Sequence, residues 1–364
     1  MQQVFSLEIS VFLTLLICYS PLLIANENNA QIYPDNESKH LREAAKYRFE
    51  FNNDVFFQSD NQFSNGWSFQ VHSPVAKSWQ KIEGPANFLK QFGTWLPSLT
   101  SNGLNYRLSV SVGQVIQTPE DLSNPDLITN DVPYAGIITA KTTWIAFNDL
   151  EFRGFELVAG ILGRPSLAEQ TQNFVHVFTG SEIANGWDNQ LKTEPVFNVN
   201  YMRKSKFLQT GTPAKFSFDA TLSGDLQLGT LFTSTGLRIE TRFGINMPYG
   251  FGYRADPIGR YLTYDATLAP PRTKDASFYG TFSFGGSFFA HNLSLDGNVF
   301  KDAIHSVEKE NLVGIATLGI HYERATWAVH FDLNFTSDTI DTSSVTANPN
   351  PENNFSTLMI EWRI

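Results

Sequence analysis

The sequence predicts an all-β protein, a transmembrane antiparallel β-barrel of about twelve strands with a short extracellular loop helix. Three observations predict it. From Tyr47 onward, apolar and polar residues alternate with period two over runs of about 8 to 14 residues, long enough for tilted strands to cross a bilayer. Charged residues make up only 17% of the 364 residues and aromatic residues 14%, including 31 Phe, which suits a sheet with one face in lipid. The mean hydropathy of −0.19 is too low for a bundle of helical spans, each of about 20 nearly uninterrupted apolar residues. A soluble β-sandwich also alternates and stays open as an alternative, although its strands are usually shorter.

The elements follow in chain order. The apolar run from Ile9 to Ala25, ISVFLTLLICYSPLLIA, reads as a signal peptide over residues 1–25, followed by a polar segment over 26–45. MQQ carries no Lys or Arg, so an uncleaved anchor is the alternative. Cys18, the single cysteine, lies inside that run. Its removal leaves no disulfide framework and no Cys-based zinc site. The barrel is expected over 46–364, with strands near 46–57, 64–73, 104–116, 134–147, 151–163, 194–207, 313–323 and 355–364.

Four further runs alternate most plainly. Over 214–228 the even positions are apolar or small, while the odd ones are Lys215, Ser217, Asp219, Thr221, Ser223, Asp225 and Gln227. Leu237, Ile239, Thr241, Phe243 and Ile245 alternate with Arg238, Glu240, Arg242, Gly244 and Asn246. Three successive inward charges are costly in a dry core, whereas a wet lumen accepts them. Phe278, Phe282, Phe284 and Phe288 define one face of 276–290, and Trp327, Val329, Phe331, Leu333 and Phe335 alternate with His330, Asp332 and Asn334. The last strand puts Leu358, Ile360, Trp362 and Ile364 on one face, as a closing barrel strand would.

Two connections break the alternation. Lys77 to Asn102 contains KIEGPANFLKQFGTWLP, an amphipathic turn or short helix with Phe88, Phe92 and Trp95 available at a membrane rim. Arg164 to Asn185 predicts a helix, with Pro165 at its start, Ser166 as cap, Glu169 three residues later and Gly180 at its end.

A net charge of −10 and a pI near 5.2 argue against nucleic acid as partner, because phosphate binding needs a basic surface. The chain has no GxSxG elbow, no HExxH and no Walker loop. Two clusters remain. Gln172 and His176 lie one turn apart on one helix face, with Glu182 just past the helix end; they are either chemistry or a loop packed over the barrel mouth. Asn52, Asn53, Asp54, Asp60, Ser64, Asn65 and Gly66 surround a strand end and turn. Their oxygens suit a hard cation such as calcium, and equally suit ordinary turn chemistry. Asn53 shares the parity of Tyr47, Phe49 and Phe51, which places an amide on an apolar face. His40, His72, His291, His305, His321 and His330 are scattered singles, read as structural or solvated.

FNNDVFF (51–57), FSNG (63–66), NDVPYAG (130–136) and above all GRPSLAEQTQNFVH followed by GWDNQL (163–191) resemble the outer-membrane lipid A 3′-O-deacylases, the LpxR family. The resemblance implies a twelve-stranded barrel in the bacterial outer membrane, with its site between the barrel wall and an extracellular loop helix. It also implies calcium-dependent ester hydrolysis in which His activates water and Ca2+ stabilises the oxyanion. By motif, Asn53 and Asp54 match the family's Asn-Asp pair, with Asp54 on the metal. Ser64 stands where Thr is found, Gln172 and His176 match the helix pair, and Glu182 matches an acidic partner that would orient the ring. The implied partners are lipid A or lipopolysaccharide and outer-membrane lipids, with no nucleic acid, and the implied state is a monomer. One departure bears on substrate. Some members carry a Lys-Arg pair before the PYAG-like segment, whereas here Thr118 to Asp131 has no basic residue. Arg164, Arg203, Lys204 and Lys206 are candidates for phosphate contacts or for interfacial anchors. A non-catalytic pore and a phospholipid hydrolase stand as the rival functions.

Overall fold

The computed structural model describes residues 44–54, 62–84, 86–211, 215–256, 266–268, 276–343 and 351–364. The signal peptide, most of the polar segment that follows it, and Asp60 lie outside the described residues. The strands are β1 (Lys46–Asn53), β2 (Gln62–His72), β3 (Asn105–Thr118), β4 (Ala135–Phe147), β5 (Glu151–Leu162), β6 (Glu194–Gly211), β7 (Phe216–Gly229), β8 (Phe232–Ile245), β9 (Tyr249–Phe251), β10 (Ala266–Leu268), β11 (Ser277–Asn292), β12 (Leu312–Glu323), β13 (Trp327–Thr336) and β14 (Phe355–Arg363). Apart from the β9–β10 hairpin, all form one closed antiparallel barrel, twelve strands in sequence order, with β1 paired to both β2 and β14. Closure leaves no strand edge unpaired, as a sheet crossing hydrocarbon requires. The expected strand count stands. β1 ends at Asn53 rather than 57, and β8 begins at Phe232 rather than Leu237.

The alternation sorts as the sequence predicts. Leu237, Ile245, Phe278, Phe284 and Ile320 are exposed on the outside, whereas Arg238, Glu240 and Arg242 are buried inside. The inward charges do not rest on water alone, which differs from the sequence expectation. Arg238 pairs with Asp225, Arg242 with both oxygens of Asp219, and Glu240 with Lys204 at 2.8 Å. Arg48, Lys46 and Arg363 converge on Glu361, and Arg363 also reaches Glu323 at 2.6 Å. Such pairing offsets the desolvation that an enclosed charge costs.

The connection from β8 to β11 also enters the lumen, from the end where β1 begins and β14 finishes. Tyr253 donates to Glu50 Oε2 (2.9 Å), Arg254 pairs with Glu240 (3.0 Å), and the Ala255 amide donates to Asp332 (3.3 Å). Arg242 and Lys206 donate to the Gly250 carbonyl. Tyr253, Arg254, Ala255 and Asp256 are all buried, so this segment packs against the inner wall of the barrel it interrupts.

At that same end the β2–β3 connection folds back on the outer wall as a collar containing helix α1 (Lys90–Trp95). Phe92 packs on Trp144 and Phe155, and the Trp144 indole donates to the Leu89 carbonyl. Phe88 and Trp95 stay exposed at 75% and 68%, as expected, whereas Phe92, expected to be available beside them, is taken up by the wall.

Candidate active site

Strand register places the site. Tyr47, Phe49 and Phe51 face outward on β1, and so does Asn53, which opposes Asn65 on β2. Asn65 opposes Ile116 on β3, and Ile116 opposes Gly136 on β4. These four residues make one outward row across four strands at the end where β1 finishes and β14 begins. The next row contains Phe51, Trp67, Gln114 and Ile138. At about 4.8 Å per strand, Asn53 lies about 14 Å from Gly136 along the wall.

Helix α2 (Ala168–Thr179) stands on this wall against β3 and β4. Gly136 is its foothold, because a Cβ there would sit 2.3 Å from Ala168 Cβ and 2.5 Å from Ser166 Oγ. Gln114 fastens the same place: its amide donates to the Ser166 carbonyl at 2.6 Å and its oxygen accepts from the Trp67 indole at 3.0 Å. Ile116, Leu122, Tyr134, Ala168, Ala184 and Trp187 form the apolar seam beneath the loop. Burial pushes the Tyr134 phenol up to about 12, so it stays protonated where it packs on Trp187.

The helix start corrects the sequence expectation. Arg164–Ser166 forms a 3-10 turn, Leu167 precedes the helix at φ 60°, and no side chain caps it. Ser166 is fully buried against the wall; its carbonyl is taken by Gln114, and its hydroxyl only approaches the Ala168 amide at 3.4 Å. The helix end is as expected, at Gly180 with φ 76°, a conformation that glycine adopts without strain.

Gln172, His176 and Glu182 come together. His176 is 9% exposed, and its Nδ1 bonds the Glu182 carbonyl. A carbonyl only accepts, so Nδ1 carries a proton, and in the neutral ring Nε2 is the basic nitrogen. The Glu182 carboxylate, expected to orient the ring, is exposed; its main chain does that work instead. Gln172 is fully buried, and its oxygen accepts from the Trp187 indole at 2.9 Å. Indole only donates, which fixes the amide orientation. The Gln172 Nε2 hydrogens therefore point elsewhere, with no acceptor among the described residues.

Asn53 and Asp54 close β1. Asp54 is 1% exposed and Asn53 half-buried, with its carbonyl accepting from Ser356 at 2.9 Å. Asn65 is buried, and its amide oxygen has no hydrogen-bond partner among the described residues. A buried carboxylate on β1 and an orphaned amide oxygen on β2 are oxygen donors of the kind a hard cation prefers. Among the described residues no three His, Cys, Asp or Glu come together, so a cation held there would draw on amide and main-chain oxygens besides Asp54. Ser64 lies at a bulge in β2, and its side chain lies outside the described residues.

Gln114 escaped the sequence analysis, although the signal was present. It shares the parity of Val110 and Val112 on the lipid side of β3, the same anomaly that drew attention to Asn53. The candidate phosphate residues separate by face. Lys204 and Lys206 point into the lumen as ion-pair partners, and Arg203 lies outward near the terminal end, opposite Arg153. Arg164 alone of the four lies beside the site, exposed and paired with Asp188 at 2.6 Å.

Comparison with known proteins agrees with this architecture. The family model described as outer membrane protein LpxR matches residues 11–364. The structure of LpxR from Salmonella typhimurium superposes with a TM-score of 0.67 at 12% identity, covering 88% of this chain and 100% of that one. The β domain of the Bordetella autotransporter BrkA aligns at a TM-score of 0.40 and 8% identity, covering 88% and 98% of the two chains. No curated protein sequence matches the chain.

Proposed function

The chain belongs to the LpxR family of outer-membrane proteins, and from that premise we propose that it is a calcium-dependent hydrolase removing the 3′-O-linked acyl or acyloxyacyl chains of lipid A in the outer leaflet. The observation that carries this reading is the His176 ring. Its Nδ1–H is committed to the Glu182 carbonyl, which makes Nε2 the basic nitrogen of the neutral ring. Nε2 takes a proton from water as the water oxygen bonds to the ester carbonyl carbon. The bond from that carbon to the sugar oxygen then breaks, and His176 returns the proton to the departing sugar oxygen, which leaves as a hydroxyl. The free Nε2 hydrogens of Gln172 are donors for the oxyanion that develops in between. Asp54 and Asn65 would hold Ca2+, which supplies positive charge to the same developing oxyanion.

The rival pore has less support, because the lumen holds paired charges and the β8–β11 connection. Phospholipid hydrolysis is the second reading, favoured by the absence of basic residues from Thr118 to Asp131. The test is mass spectrometry of lipid A, with phospholipid in parallel, after incubation with refolded protein in calcium, in EDTA, and with His176→Ala. Calcium-dependent loss of a 3′ acyl group, absent in the variant, is expected. Unchanged lipid A from a folded barrel would overturn the reading.

A further inference from the structure

The rim beside helix α2 carries a cation cluster that is not part of the hydrolytic site. Lys192, Thr193 and Glu194 are each fastened to the segment Asn298–Lys301 from the β11–β12 connection. Lys192 exchanges two hydrogen bonds with Asn298: its amide donates to Asn298 Oδ1 at 2.9 Å, and its carbonyl accepts from Nδ2 at 2.7 Å. The Lys301 ammonium donates to the Thr193 carbonyl. The buried Glu194 carboxylate accepts from the amides of Val299 and Phe300. The third cation comes from the other side, since a Cβ on Gly163 would lie 2.9 Å from Thr193 and the next residue is Arg164. Arg164, Lys192 and Lys301 are therefore carried by segments that meet at Thr193, and all three are exposed.

Their surroundings point to one partner. Beside them the outer wall presents Phe197 and Phe300, about half exposed with ring centroids 6.2 Å apart, together with Val199 and Val299. Apolar residues meeting acyl chains beside exposed cations mark the headgroup level of a leaflet. Glu194 is committed to backbone amides. The other acidic neighbours, Asp188 and Asp302, are exposed, and the Arg164–Asp188 pair is of the exposed kind that exchanges readily. We propose that Arg164, Lys192 and Lys301 form a phosphate-binding subsite for the headgroup of lipid A. Because Arg164 opens the loop that carries His176, a phosphate held there registers the sugar against the catalytic helix. The inference rests on the lipid A reading of the preceding section.

The test uses the full chain in phospholipid nanodiscs, in a His176→Ala background so that the ligand is not consumed. Lipid A with and without its phosphates is titrated against the parent and an Arg164→Gln, Lys192→Gln, Lys301→Gln triple variant. The triple variant should bind phosphorylated lipid A about tenfold more weakly, bind the dephosphorylated lipid equally well, and lose its deficit as salt rises. A Lys192→Arg, Lys301→Arg variant keeps the charge and should bind like the parent. Undiminished binding of phosphorylated lipid A by the triple variant would overturn the proposal. So would equal weakening on both lipids, or failure of the arginine variant. Turnover by the His176 protein is measured separately, so phosphate-dependent binding without hydrolysis would sink the enzymatic reading and leave the subsite standing.

Discussion

Gly136→Ala tests whether the seat of helix α2 on the barrel wall controls catalysis. The added methyl carbon would lie 2.3 Å from Ala168 Cβ, against the roughly 3.5 Å or more that two carbons require, so something must move by about 1.2 Å. The wall cannot yield, because β4 is hydrogen-bonded along its length to β3 and β5. Ser166 Oγ, the other near atom, can rotate away, but Ala168 Cβ is fixed to the helix backbone. The helix therefore lifts, carrying Gln172 and His176 with it. A displacement of about 1 Å at a catalytic group costs about a hundredfold in rate. The assay is the rate of lipid A deacylation, with barrel integrity checked by heat-modifiable gel mobility and hydrogen exchange reporting the α2 amides. The expected outcome is an intact barrel, faster exchange in α2 and a rate about a hundredfold lower. Gly314→Ala is the control, since the nearest atoms there are 3.6 and 3.7 Å from the new carbon. A Gly136→Ala rate within about threefold of the parent would refute the reasoning.

Gln172→Glu keeps an acceptor for the Trp187 indole and removes the amide donor; kcat should fall by about a hundredfold or more with KM little changed, as for loss of an oxyanion donor, and steady-state kinetics on lipid A decide it. In helix α3 (Leu293–Asp296), half-burial alone would raise the Asp296 carboxyl, but hydrogen bonds from His291, Lys309 and the Asn292 amide outweigh it and hold it at about 2. A depressed carboxylate stabilises above its unfolded value and loses that contribution as pH falls from about 4 through about 2, here about 1 kcal/mol after allowing for solvent exposure. Hydrogen exchange of the 292–297 amides, normalised for intrinsic rate, should show protection falling in that window and not between pH 5 and 8. The refolded protein should also give no steady conductance across a planar bilayer, and replacing residues 247–276 with a short turn should open one; conduction by the intact chain would contradict the packed lumen.

Parity made most of the barrel legible. Leu237 and Arg238 had to face opposite ways, and lipid outside with ion pairs inside is the arrangement that satisfies both. The same parity could have placed Lys204 and Lys206 in the lumen, since they share a face with Asn198 and Asn200. The segment from β8 to β11 could not be read this way. Its residues have no period, and Tyr253 reaches Glu50 across 203 positions, a contact that only the closed ring creates. At the site, Gln172 and His176 were visible from helical spacing. Ser166 was misplaced because a cap motif is local, whereas burial against Gly136 and the bond from Gln114 are not. Glu182 was assigned through its carboxylate, and a main-chain carbonyl leaves no mark in side-chain identity.

A site on the outer wall of a barrel has no third dimension to draw on. On the proposed lipid A reading its ligand would arrive by sliding within the leaflet, and a released fatty acid would leave the same way, into neighbouring lipid. Turnover should therefore follow the mole fraction of substrate in the surface, and diluting it with inert lipid should slow the reaction even when the bulk concentration is unchanged. An accumulating acyl product would stay within reach of the helix, so the membrane around the barrel would serve as both reservoir and competitor.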